Sequence, residues 1–187
     1  MKRKLLVFAL CLSLSSVASA KSLNFKRTAG LRHIEGFQYV GVGVYTGWGD
    51  SFTVDATYGY LFHNRFSVFG TFSYERGHFR KSVFQSFDLK PGVEGMAWSP
   101  VDWFYLHFNA GVLVSYDMWR QKDFSASNNG FGMGVFGGVS FDFYINRNFS
   151  IAVKAEQDWR YTWLKDGGYN YFSPLFGVSF RYNIRTF

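Results

Sequence analysis

The chain has 187 residues, a formal charge of +7 and an aromatic content of 22%, with 23 Phe, 12 Tyr and 6 Trp. So many aromatic residues exclude a disordered chain, and the lack of any long apolar run after residue 20 excludes membrane-spanning helices. A mean hydropathy of -0.08 beside this aromatic content is typical of strands with one lipid-facing and one polar face.

The first twenty residues predict a secretory signal peptide. Three cations at positions 2–4 precede an apolar stretch over residues 5–17, and Ala18-Ser19-Ala20 fits the small-residue cleavage site. Cleavage there removes the only cysteine, Cys11, so we expect neither disulfides nor thiol catalysis. It also lowers the formal charge from +7 to +4, because three cations leave, and we expect no direct nucleic-acid binding.

Eight later segments alternate between apolar and polar side chains. In residues 149–163 the odd positions are mostly apolar or aromatic, whereas the even positions include Lys154, Glu156, Asp158 and Arg160. Side chains alternate faces along a strand, whereas a helix would mix these two sets. The predicted strands are, in chain order, 34–47, 52–62, 66–74, 83–98 with a bulge at Pro91, 104–118, 131–145, 149–163 and 172–184.

This pattern predicts an all-β fold, an eight-stranded antiparallel transmembrane β-barrel of the outer-membrane type. Its expected parts are the signal peptide at 1–20, a short periplasmic segment at 21–33 and the barrel at 34–187. Short polar turns favour a periplasmic position, which would leave the other connections outside the cell and both termini in the periplasm. The short turns lie at 63–65, 100–102 and 146–148, and the outer connections lie near 47–51, 77–83, 119–130 and 164–169.

Aromatic residues form two predicted belts where the barrel meets the membrane surfaces. The competing interpretation is a lipocalin-like barrel whose apolar face surrounds a ligand. Forty-one rings are too many for one small lumen, which favours the lipid-facing arrangement. The periplasmic belt comprises Phe62, Phe66, Trp103, Phe104, Phe149 and Tyr182, and the outer belt comprises Tyr45, Tyr74, Tyr116, Trp159, Tyr161 and Trp163.

Charged side chains line the predicted interior. Buried charges of both signs must pair or retain water, so we expect carboxylate–guanidinium pairs between the seventh and eighth strands. A proton or ion path is the functional alternative to a closed polar plug, and the narrow lumen of eight strands favours the plug. The predicted interior charges are Asp55, Glu75, Asp88, Lys90, Glu94, Asp117, Asp142, Lys154, Glu156, Asp158, Arg160, Arg181 and Arg185.

Signals for catalysis or cofactor binding are weak, and we expect no catalytic, cofactor or metal site. The four histidines show no metal-ligand spacing. A lipid A hydrolase would need a Ser/His/acid set near the outer rim, where only His78 lies close in sequence to Ser82 and Ser86.

One predicted outer loop is basic. Arg76, His78, Arg80 and Lys81 are placed to meet lipopolysaccharide phosphates, and contact with a recipient cell is the alternative. Outer-membrane lipids are therefore the first expected partners.

The layout of the chain resembles the conjugal transfer protein TraO family of Bacteroidota conjugative transposons. After the signal peptide comes Gly30-Leu31-Arg32-His33-Ile34-Glu35, and Gly137-Gly138 precedes a strand that ends in Tyr144-Ile145-Asn146-Arg147. An acid- and Arg-rich strand follows over 156–160, and the chain closes on Phe176-Gly177-Val178-Ser179-Phe180.

This resemblance implies a non-catalytic outer-membrane component of a conjugative, type IV secretion related apparatus, with other transfer proteins as partners. It also implies that Gly177, Phe180 and Tyr182 form a signal read by the barrel assembly machinery, although Leu175 replaces the expected polar residue. A generic small barrel for adhesion or envelope stability is the alternative.

Overall fold

The computed structural model describes residues 35–47, 50–79, 82–121, 127–146, 148–165 and 167–184, so the predicted signal peptide and periplasmic segment lie outside the described residues. Each strand pairs antiparallel with its chain neighbours, and the first pairs with the last to close a barrel. This confirms the predicted fold class. The strands are β1 Gln38–Thr46, β2 Phe52–His63, β3 Phe66–Phe79, β4 Ser82–Val101, β5 Phe104–Gln121, β6 Ser127–Tyr144, β7 Phe149–Leu164 and β8 Gly167–Ile184.

The apolar face of every strand points outward. Val112 and Val153 are 54% and 44% exposed, and Phe131 is 66% exposed, whereas Lys154 and Arg160 between the apolar positions of β7 are buried. Such an arrangement is inverted relative to a soluble protein and places the apolar surface against lipid. Among the described residues, no helix is long and apolar enough to cross a membrane.

The pairing register sets the width of the barrel. Paired residues can be followed round the barrel in two directions, starting from Phe72 on β3. Through Leu89 on β4 the path reaches Val114 on β5. In the other direction, through β2, β1, β8, β7 and β6, it reaches Phe104 on the same strand. These two positions on β5 are ten residues apart, and this stagger requires strongly tilted strands. Eight strands closed in this way leave an interior that side chains can fill.

Two local predictions were wrong. The register runs unshifted through Pro91, where Gly111 allows close approach of β5, and it shifts instead between Met96 and Trp98 and again between Trp98 and Val101. A missing N–H interrupts a ladder without inserting a residue, so proline alone does not require a bulge. Tyr45 was assigned to the outer belt but is buried inside, because its neighbour Val44 takes the outward position.

The strands extend further at the end predicted to be outer than the sequence pattern indicated. β4 has 20 residues and β5, β6 and β8 have 18 each, well beyond the roughly 9–11 that span a bilayer. Most of the predicted loops 77–83, 119–130 and 164–169 are therefore paired strand. Alternation fades where both faces of a strand meet water, so it does not mark the ends of these strands.

The exposure of Val153 predicts the cost of a lipid-facing charge. Val153→Arg near the middle of β7 should lower the free energy of unfolding by roughly 2–4 kcal/mol, because a cation would enter the hydrocarbon. The measurement is reversible urea unfolding in lipid vesicles, with Val153→Leu as the control. Unchanged stability of the Arg variant would contradict the assigned orientation of β7.

Candidate functional site: the charged lumen

Every strand except β1 directs at least one charged side chain into the barrel, and we call these inward side chains the luminal charge network. Asp55 and Glu156 are half-buried, and the others are buried. Of the residues predicted to be inside, Arg185 alone lies outside the described residues. The network comprises Asp55, Glu75, Asp88, Lys90, Glu94, Asp117, Asp142, Lys154, Glu156, Asp158, Arg160 and Arg181.

Arg160 on β7 organises the end of the network predicted to be outer. Its Nη1 lies 2.8 Å from the Asp88 carboxylate, and its Nη2 lies 3.6 Å from Glu75 and 3.5 Å from Asp117. The guanidinium also lies beside two neighbouring rings, 5.4 Å from the centroid of Phe84 and 4.5 Å from that of Tyr171. Three carboxylates around one cation need further donors, since a buried acceptor without a partner is costly.

Hydroxyl groups supply those donors. The Tyr171 hydroxyl donates to Glu75 at 2.9 Å, and the Tyr169 hydroxyl donates to Asp117 at 2.9 Å. Ser86 donates to Asp117 at 2.7 Å and also to Asp88. The acids at this end are thus held by a mixture of ionic and neutral hydrogen bonds.

Lys90 on β4 forms the middle of the network. Its Nζ lies 2.6 Å from Asp158 and 2.9 Å from Glu156, both on β7, and 5.8 Å from the centroid of the Phe136 ring. The nearby Lys154 ammonium lies 5.8 Å from the Tyr45 ring centroid. The inward position of Tyr45 thus places a ring beside a luminal cation.

Arg181 on β8 organises the end predicted to be periplasmic. Its guanidinium binds Glu94 through two hydrogen bonds, at 3.0 and 2.8 Å, and Asp142 at 2.8 Å. His107 is fully buried beside them, with Nδ1 3.3 Å from Glu94 and 3.5 Å from Asp142. Paired hydrogen bonds of this kind combine strength with a defined geometry.

These contacts correct the predicted pairing. Carboxylate–guanidinium pairs were expected between β7 and β8, but Asp158 and Glu156 on β7 bind Lys90 from across the lumen. Arg160 binds acids on β3, β4 and β5, and Arg181 binds acids on β4 and β6, so neither arginine binds an acid on the other's strand. The narrow interior is the physical reason, because side chains from opposite walls meet at its centre.

The described part of the lumen is closed. One cavity of about 10 Å³ lies among Asp55, Asn109, Lys154 and their neighbours, which is about the space one water needs. Inward rings fill much of the rest: Tyr105 is fully buried, Tyr144 is nearly so, and Trp119 contacts Phe84 with ring centroids 4.8 Å apart. Sequence reasoning missed Phe84, Phe136 and Tyr171, although strict alternation places all three inside.

The residues considered for lipid A hydrolysis do not assemble into a site. Ser86 is fully buried in the lumen and bonded to acids, whereas His78 on β3 points outward and is exposed. Ser82 has the same inward parity on β4 as Ser86. Among the described residues, no group of three or more His, Cys, Asp or Glu side chains is arranged to hold a metal ion.

Of the remaining predicted site residues, Arg76, His78, Phe180 and Tyr182 lie on the outer surface of the barrel. Arg76 is exposed beside His78 on β3, and Arg80 and Lys81 lie outside the described residues. Phe180 and Tyr182 point outward from the barrel. Gly177 lies so close to β1 that an added Cβ would meet the Val44 carbonyl oxygen at 2.1 Å.

The filled lumen predicts that the barrel does not act as a porin. Purified protein in planar bilayers should show no stable channel of porin size, because charged pairs and rings occupy the path. Single-channel current recording provides the measurement, with a general porin inserted under the same conditions as the control. Steady, large, ion-selective currents would contradict the closed lumen and assign a transport role.

Solved structures with the same fold are small outer-membrane barrels. The N-terminal β-barrel domain of Pseudomonas aeruginosa OprF superposes with a TM-score of 0.57 at 12% identity, covering 80% of this chain and 98% of that one. Neisserial surface protein A gives 0.57 at 11% identity, covering 78% and 95%. Pseudomonas aeruginosa OprG gives 0.51 at 12% identity, covering 83% and 99%.

No family model matches the sequence, and no curated protein is significantly similar to it. The structural likeness, at such low identity, concerns the fold alone. The chain therefore has the eight-stranded architecture of small outer-membrane barrels.

Proposed function

We propose that the chain is a non-catalytic structural component of a conjugative transfer apparatus, seated in the outer membrane with both termini in the periplasm. The observation that carries this proposal is the closed, ion-paired lumen. Arg160, Lys90 and Arg181 each bind acids from opposite walls, so the interior serves to hold the barrel together. The surfaces left for recognition are the lipid face and the two ends.

Three observations support the location and orientation. The outward face is apolar on every strand, which fits a bilayer. One end has short turns, such as that in which Asn146 Oδ1 accepts the N–H groups of Asn148 and Phe149 at 2.9 Å. The other end has long strands, as outer-membrane barrels commonly have outside the cell. The resemblance to the TraO family supports the role in transfer.

The generic alternative is a barrel that stabilises the envelope or mediates adhesion. The fold of the structural neighbours is compatible with this role as well. It predicts a different phenotype, since loss of an envelope-stabilising barrel would affect the cell whether or not a transfer element is present. Partners in the barrel assembly machinery are expected for either role.

Gene deletion in a donor strain separates the two roles. Loss of the chain should lower the frequency of element transfer at least 100-fold and leave detergent sensitivity unchanged, and the wild-type gene supplied in trans should restore transfer. Lipid A mass profiles should be the same in both strains, since His78 and Ser86 lie on opposite faces of the barrel wall. Normal transfer with increased detergent sensitivity would overturn the conjugation role and favour the generic one.

A further inference from the structure

A recess opens on the outward face of β3 to β6, at the end of the barrel predicted to be outer. Its volume is about 340 Å³. The side chains of Arg76 and Arg120 that border it are on the exposed face of their strands, whereas Trp119 is an inward-facing residue of the lining. The lining residues are Arg76, Val83, Gln85, Met118, Trp119, Arg120 and Asn129.

Strand pairing brings these side chains together. Arg76 on β3 pairs with Gln85 on β4, which in turn pairs with Met118 on β5, and Met118 pairs with Asn129 on β6. Arg120 lies one outward position further along β5, opposite Val83. Neighbouring strands are about 4.8 Å apart, so two long guanidinium side chains can approach one ligand from two strands away.

The recess lies directly beyond a row of aromatic residues. The next outward positions toward the membrane are Tyr74, Phe87, Tyr116 and Phe131. Tyr74 and Phe87 contact each other with centroids 5.1 Å apart, as do Tyr116 and Phe131. Aromatic girdles lie at the level of the lipid headgroups, so the recess lies at or just above that level.

The charge of the recess is unbalanced. Among the described residues, its lining contains two arginines and no carboxylate, and neither arginine lies within salt-bridge distance of a described acid. The luminal Arg160 and Arg181, by contrast, each bind two or more acids. Two exposed guanidinium groups beside two side-chain amides are suited to the oxygens of a phosphate group.

We propose that this recess binds a phosphate group of a phosphorylated glycolipid in the outer leaflet. Arg76 and Arg120 neutralise the phosphate, Gln85 and Asn129 donate amide hydrogen bonds, and Met118, next to the aromatic row, contacts the apolar part of the lipid. The proposal rests on the orientation given under the proposed function. Sequence reasoning had confined the basic contact to positions 76–81, and Arg120 joins it only through the pairing of β4 with β5.

The test compares lipid binding by the full barrel and a double variant. Native mass spectrometry of the detergent-solubilised protein measures retention of added bis-phosphorylated lipid A. Arg76→Gln combined with Arg120→Gln should weaken binding at least tenfold, and removal of both lipid phosphates should weaken binding to the wild type by a similar factor. Lys165→Gln, which removes an exposed cation at the same end but outside the recess, should change it less than twofold.

Several results would overturn the proposal. Equal binding by the wild type and the double variant would do so, as would an equal loss in Lys165→Gln, which would indicate non-specific attraction. Displacement of lipid A by inorganic phosphate at equal concentration would assign the recess to free phosphate instead. Urea unfolding of each variant verifies that it is folded. If the double variant does not fold, the two single Arg variants are tested in its place. Because the assay uses purified protein, its outcome is independent of the transfer phenotype.

Discussion

Ion pairing across a narrow lumen is the interaction on which this barrel depends. Closing eight strands leaves a space that only side chains can fill, and this chain fills it with charges and rings. A charge left alone there would be strongly destabilising, so each cation must find its acids on the opposite wall. Lys90, Arg160 and Arg181 do so at three successive levels, with tyrosine and serine hydroxyls as additional donors.

The same pairs connect the interior to the membrane face. A one-residue slip of any strand would turn its charges toward lipid and its apolar residues inward. The cross-lumen contacts between β4 and β7 therefore stabilise the correct register. The lipid-facing positions of Val153 and Phe131 favour the same register. The arginine recess, by contrast, opens on the outward face of β3 to β6.

Alternation in the sequence was sufficient to predict the strand number, the closed architecture and the side of the sheet on which each charge lies. It was insufficient to predict the ion-pair partners of these charges, since Lys90 and Asp158 are 68 residues apart and meet only because the sheet closes. The ends of the strands were also missed, because alternation has no physical basis above the lipid. Tyr45 was assigned to the outer belt and Phe136 was overlooked, although the alternation places both side chains inside. The reason is that aromatic residues were first interpreted as belt residues.

The most direct test of the cross-lumen pairing is a double-mutant cycle on Lys90 and Asp158 in reversible urea unfolding. Lys90→Met and Asp158→Leu should each lower the free energy of unfolding. The loss in the double variant should be smaller than the sum of the two single losses by about 1–3 kcal/mol. Lys90→Met combined with Val153→Ala, which lies on the lipid face, should be additive. Additive losses for Lys90 and Asp158 as well would contradict the claim that charges paired across the lumen hold the barrel together.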